Sequence, residues 1–159
     1  MDEVRTKLDD FDLLLTGAAN EELRAAVHQQ IRAFNDVVSP HHRAVRQAGV
    51  EKLDIFLYDG DGKLRGALVA STYWGWLKID DLWLEEGLRG RGYGRRLMAM
   101  AEAEARARGC RQAWLRTFRF QARGFYERLG YRVVGVLEDY PPGEAFYWMR
   151  KDFDGQEGA

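Results

Sequence analysis

The six residues Arg89-Gly90-Arg91-Gly92-Tyr93-Gly94 constrain this chain more than any other segment. They stand between an apolar strand pattern ending near Leu84 and a run over 95–108 rich in Ala, Leu, Met, Glu and Arg, all good helix formers. Glycines at the start of a helix let backbone N–H groups approach an anion without Cβ obstruction. The helix start adds the positive end of its dipole. Arg89, Arg91, Arg95 and Arg96 gather positive charge here, in a chain whose formal net charge is −1. Such a segment asks for a polyanion, and a pyrophosphate is the natural candidate.

The rest of the chain limits what can surround that loop. Its 159 residues suit one domain with a real core. A domain over 1–153 with a flexible tail over 154–159 is expected, since the tail DGQEGA is polar and glycine-rich. The near-neutral charge argues against a nucleic-acid partner held by a broad basic surface. The single cysteine, Cys110, excludes an internal disulfide and a multi-cysteine metal site. No apolar run approaches the length of a membrane span, and the opening residues MDEVRTKLDDFD lack the pattern of a signal peptide. A cytoplasmic protein with no membrane partner is expected.

Periodicity orders the elements. Residues 11–15 (FDLLL) read as a first strand. Asn20 can cap a helix whose stripe is Leu23, Val27, Ile31, Phe34 and Val38, with Glu21 and Glu22 at its positive end and Pro40 as its stop. From Lys52 the period shortens to two. Residues 54–58 and 63–72 form a hairpin around the DGDG turn, and a further strand follows Gly75 to Leu84. After the loop come the helix ending at Gly109, a strand over 110–118, a short helix over 121–129, and strands over 131–137 and 145–151. The sum is an α/β chain in α+β order: about seven strands in a mixed sheet flanked by three or four helices.

Three kinds of glycine loop can be compared. A Walker A loop needs Lys-Ser/Thr after its last glycine; here Arg95-Arg96 follows. A dinucleotide fingerprint needs G-x-G-x-x-G after the first strand; here the spacing is G-x-G-x-G, after the fourth. The third is R-x-x-G-x-G, matched by Arg89, Gly92 and Gly94. A second pattern, A-x-x-φ-Y-x-x-x-G-[FY], is matched downstream by Ala122, Phe125, Tyr126, Gly130 and Tyr131. With these two motifs in this order the chain resembles the GNAT superfamily of N-acetyltransferases, from about Leu82 to Lys151. Many members carry Asn three residues before that Ala; Arg119 stands here, where it could reach a phosphate or point to solvent.

The resemblance implies a GNAT-like fold and direct transfer of acetyl from acetyl-CoA to a primary amine of a small molecule or peptide. It implies that Arg89, Gly90, Arg91, Gly92, Tyr93, Gly94 and Arg95 hold the pyrophosphate. It further implies that backbone groups of Leu82, Trp83 and Leu84 align the pantetheine arm in a gap between two splayed strands. A carboxylate can serve as general base for the amine. Strict alternation would put Lys78, Asp80, Leu82 and Leu84 on one face, and Asp81 and Trp83 on the other. Asp80 is the first candidate base and Asp81 the second; the pair could instead bind a cationic substrate or a nearby Arg. Tyr126 matches the position of a general acid for the thiolate, against the reading of a core aromatic. The turn containing Glu138, Asp139 and Tyr140 either borders the acceptor pocket or is a plain proline turn. A non-catalytic acyl-CoA sensor is the alternative function, and a homodimer is compatible with the family.

Other residues are tempting. Cys110 reads as a small core residue rather than a nucleophile. His41 and His42 read as a solvated pair in a loop after Pro40, and no metal motif is visible.

Overall fold

The computed structural model describes residues 3–18 and 20–153, and the chain divides into two compact units, Met1–Gln47 and Ala48–Ala159. The tail over 154–159 lies outside the described residues. No helix among the described residues is long and apolar enough to cross a membrane.

In the first unit, β1 (Val4–Leu8) and β2 (Phe11–Leu15) form an antiparallel hairpin, with Leu8 opposite Phe11. The intervening Asp9 takes a left-handed backbone (φ 51°), which a short polar side chain tolerates. The helix α1 (Glu21–Val38) starts as its sequence requires: Asn20 Oδ1 accepts from the Leu23 N–H at 2.9 Å. Pro40 ends α1 and also opens α2 (Pro40–Gln47), where its missing N–H is no loss. Ser39 Oγ accepts from the His42 N–H at 3.2 Å, so His41 and His42 sit in a first helical turn rather than in the expected loop. Arg46 grips both oxygens of Asp36, at 2.6 and 2.5 Å, tying α2 to α1. By itself this unit does not bury the α1 stripe. Leu23, Val27, Ile31, Phe34 and Val38 all stay exposed, since one two-stranded hairpin offers too little surface to cover them.

The second unit carries β3 (Glu51–Tyr58), β4 (Leu64–Tyr73), β5 (Trp76–Leu84), a 3₁₀ turn (Glu86–Leu88) and α3 (Tyr93–Ala107). Then follow β6 (Gln112–Phe118), α4 (Arg123–Arg128), β7 (Arg132–Glu138) and β8 (Ala145–Asp152). The six strands make one mixed sheet in the order β3-β4-β5-β6-β8-β7. Only the β5–β6 pair is parallel, because α3 is the crossover between them. The sheet is thus six strands plus a separate pair, where the sequence suggested about seven.

One face of this sheet is core. Leu68, Leu77, Leu115 and Met149 are fully buried beside Met98 of α3. Burial of each such side chain contributes about 1.5–3 kcal/mol. Ala101 and Ala105 repeat along the same stripe of α3 and let the helix approach the strands closely. Cys110 joins this core, and burial pushes its thiol pKa up. The opposite face presents Trp76, Lys78, Trp114, Arg116, Trp148 and Arg150, which alternate with the core residues along their strands.

One charge lies inside the helix-side layer. Glu102 of α3 is buried; it takes Lys151 Nζ at 2.7 Å and the Tyr131 hydroxyl at 3.2 Å, with Arg106 at 3.6 Å. The cluster ties α3 to β8 and to the residue after Gly130. Removing one partner of a buried pair leaves an uncompensated charge. Lys151→Met is expected to lower the unfolding free energy by about 3 kcal/mol, read by urea titration; an unchanged midpoint would show that Lys151 does not hold Glu102. Tyr126 and Tyr131 both have pKa values raised above the ordinary 10.0, first by burial and then by a neighbouring carboxylate, Asp81 and Glu102 respectively. Their protonated burial stabilises the fold fully below pH 10. That stability is lost as pH climbs above 10, where the unfolded chain ionises first. Alkaline unfolding curves should show this decline, and Tyr131→Phe should reduce it.

Candidate active site

The site begins where two strands part. β5 and β6 pair from Trp76/Gln112 to Ile79/Leu115 and no further, although β5 runs on to Leu84 and β6 to Phe118. The far edge of β5 stays paired to β4 throughout. The gap is therefore bordered by strand edges that have lost their ladder partners, and it opens toward the end of β5 that leads into the glycine loop.

That loop is built as the sequence foretold, with α3 starting two residues early, at Tyr93. Gly92 is the N-cap and sits in the left-handed region (φ 85°), so its glycine identity is set by backbone conformation; a Cβ there would meet nothing. It offers no side chain to cap the helix, and the first-turn N–H groups have no side-chain acceptor. Gly94 is glycine for the other reason. A Cβ there would stand 3.3 Å from the Phe125 ring and 3.5 Å from Leu84, so its absence lets α3 rest on α4 and β5. Arg89 Nε donates to the Leu84 carbonyl at 3.1 Å, which fixes the Arg89 side chain along the end of β5.

A cavity of about 770 Å³ lies between loop and α4, lined by Leu82, Leu84, Arg89, Gly90, Gly92, Gly94, Arg95, Phe125 and Arg128 among others. Most of the expected anion-binding set is therefore gathered around one hollow. Trp83, Arg91 and Tyr93 are not in its wall; the Arg91 guanidinium lies 5.7 Å from the Tyr93 ring centroid. Sequence reasoning missed Arg128. Its signal was the spacing of six residues from Ala122, which the short helix α4 brings back to the loop. Uncapped N–H groups, two arginines of the loop and a third from α4 make a fitting cradle for a diphosphate.

The acidic pair departs from strict alternation. β5 carries a bulge: Ala70 faces Ile79, Val69 faces Asp81, and Asp80 is the extra residue. Leu82 and Leu84 consequently fall on the helix side with Ile79, while Asp81 and Trp83 share the opposite face with Lys78. The expected grouping of Lys78 and Asp80 with Leu82 and Leu84 is thus broken by one inserted residue. The Asp80 carboxylate is held by Lys78 Nζ at 2.6 Å. The Asp81 carboxylate makes no ion pair within 4 Å among the described residues and acts electrostatically on the Tyr126 phenol. Tyr126 is the buried residue of α4, edge-on to Phe125 at 5.1 Å and to Tyr131 at 6.1 Å. Burial and then Asp81 push its pKa up, so it stays protonated at neutral pH.

Arg119 lies elsewhere. Its Nε is 3.2 Å from Glu144 Oε2, and its guanidinium also donates to the Gly143 carbonyl. It thereby braces the β7–β8 turn, in which Asp139 Oδ1 accepts from the Gly143 N–H at 2.6 Å. Tyr140 of that turn packs edge-on against Phe146 at 5.8 Å.

Comparison with known proteins agrees with this geometry. Residues 21–131 match the model of the acetyltransferase (GNAT) family. The blasticidin-S acetyltransferase of Streptomyces morookaense is 40% identical over 130 residues, spanning 77% of this chain and 96% of that protein. The acetyltransferase Atu2258 of Agrobacterium fabrum is 32% identical over 143 residues, 90% of this chain and all of the relative (100%). A crystal structure of an acetyltransferase from Bacillus cereus superposes with a TM-score of 0.77 at 29% identity, covering 87% of this chain and 97% of that one.

Gly92→Ala tests the cradle. Forcing an L-residue into the left-handed region costs about 1–2 kcal/mol, and relief of that strain would turn the first-turn N–H groups away. Affinity for inorganic pyrophosphate, read by calorimetry, is expected to fall about tenfold. Unchanged affinity would remove the loop from the binding site.

Proposed function

The chain belongs to the acetyltransferase (GNAT) family, and from that premise we propose that it transfers acetyl from acetyl-CoA to a primary amine of a small molecule. The observation that carries this reading is the parting of β5 and β6, with an uncapped arginine-rich helix start on one side and, at its mouth, Asp81, which acts electrostatically on the buried Tyr126 phenol. In this reading the N–H groups of Gly92, Tyr93, Gly94 and Arg95, with Arg89, Gly90 and Arg128, hold the diphosphate of the donor; Arg91, outside the wall, adds only its charge to the surroundings. The unladdered edge of Leu82, Trp83 and Leu84 offers its backbone groups to the amides of the pantetheine arm. A small-molecule acceptor is supported by the relative named for blasticidin S.

Asp81, rather than Asp80, is the general base. Asp80 is engaged by Lys78, whereas Asp81 is exposed, free of an ion pair, and on the face from which an amine would approach. Asp81 takes a proton from the ammonium, directly or through water. The amine nitrogen then forms its bond to the acetyl carbon as the carbon–sulfur bond breaks. Tyr126, kept protonated by its surroundings, gives its proton to the departing sulfur and is reprotonated, through water, by the second proton that the new amide nitrogen sheds. Acid and base reach the gap from opposite faces of the sheet, so neither has to change place. Arg119 serves this arrangement as a brace of the turn beside the acceptor side.

Thiol release from acetyl-CoA against a panel of amines tests the reading. Tyr126→Phe is expected to lower kcat by about 10²–10⁴-fold while coenzyme A affinity is kept. Asp81→Asn should cost about tenfold or more in kcat/KM and Asp80→Asn far less. Full activity of the Tyr126 variant would remove the acid; the reverse order of the two aspartates would move the base.

A further inference from the structure

Strands β5, β6 and β8 carry four basic residues, and three of them have carboxylate partners. Lys78 is 2.6 Å from Asp80, Arg150 Nε is 2.8 Å from Asp152, and Lys151 is 2.7 Å from Glu102. Arg116 is the exception. Among the described residues no carboxylate lies within ion-pair distance of it, and its guanidinium carbon lies 5.9 Å from the Phe146 ring centroid.

Its position gives this a meaning. Arg116 is the first residue of β6 past Leu115, where pairing to β5 ends, so it stands at the mouth of the gap. It alternates with Leu115 and Thr117, both buried on the helix side, and is therefore on the opposite face. The bulge in β5 puts Asp81 on that same face, on the other strand bordering the gap. A guanidinium lying near an aromatic ring loses rotational freedom yet keeps its edge N–H groups for a planar acceptor such as a carboxylate. One side of the acceptor mouth is anionic and the other cationic.

Resting on the acetyl-transfer reading above, we infer that the acceptor is an amine that also carries a carboxylate, and that Arg116 is the specificity residue that binds it. Asp81 receives the ammonium end and Arg116 the carboxylate end. The same cation repels polyamines, which lack an anionic group. Substrate preference is thereby set by attraction and repulsion together.

The test uses the full chain and matched acceptors: amino acids, β- and γ-amino acids and short peptides, each beside its carboxamide, with spermidine as a polycation. At saturating acetyl-CoA, the free acid is expected to exceed its amide in kcat/KM by about 10–100-fold, the range for a hydrogen-bonded charge pair. Arg116→Gln should bring that ratio close to one, and Arg116→Lys should restore part of it, since a point charge replaces a fork. Coenzyme A affinity, read by calorimetry, should be equal in all three proteins. Amides used as well as acids, a ratio that survives in Arg116→Gln, or a preference for spermidine would each overturn the assignment. So would coenzyme A binding with no transfer to any carboxylate-bearing amine. Failure of the wild-type chain to bind coenzyme A would instead sink the acetyltransferase reading.

Discussion

Two parallel strands that pair for four residues and then separate leave a row of backbone groups without partners. Such groups must be satisfied by water or by a ligand. In this chain the separation begins after Ile79 and Leu115, and everything that has the character of a site is arranged around it. The glycine loop follows directly from the free end of β5. Asp81 and Arg116 border the mouth, and Asp81 acts electrostatically on Tyr126, buried in the helix layer. A sheet that stayed paired along its full length would hold the same residues and bring none of them to a common space.

Keeping strands apart requires that something else hold them. On one side β5 remains laddered to β4, and on the other β6 is laddered to β8 along its whole length. Across the helix layer, Glu102 joins α3 to Lys151 of β8 and to Tyr131. Tyr131 in turn packs edge-on against Tyr126. The buried charge cluster and the Tyr126 ring are thus one packed unit. A cluster of this kind contributes less to net stability than to fixing one arrangement of α3, α4 and β8 against each other.

Much of this was legible in the sequence, for identifiable reasons. Glycines and arginines at fixed spacing before a helix former determine a local structure, so the loop and the start of α3 could be read from residues 89–96. The place of Tyr126 on a short helix could be read because its motif is one contiguous run around α4. The bulge at Asp80 could not, since a bulge is a relation between two strands and β5 alone shows only alternating side chains. With it went the facing of Asp81. Arg128 was hidden because its value depends on where a short helix points. Pro40 was read as a stop and is also a start, for the same missing N–H that ends one helix is harmless at the head of the next. The α1 stripe shows an amphipathic helix correctly, but periodicity says nothing of which surface, if any, its own unit can supply.

The inserted residue in β5 has one more consequence. A strand with a single bulge is read in two frames: up to Ile79 the odd-numbered residues face the core, and from Leu82 the even-numbered ones do. The two stretches are locked to each other by that one extra position. Residues before it can vary as core and surface of an ordinary sheet, while those after it answer to the cavity wall. Pairing, at this point of the chain, is as strictly specified as composition. A loop elsewhere can change its pairing and keep its purpose, but here Asp80 has to stay out of the ladder: were it paired in regular alternation, Leu82 and Leu84 would turn out of the hollow and Trp83 into it, inverting the wall without altering a single side chain.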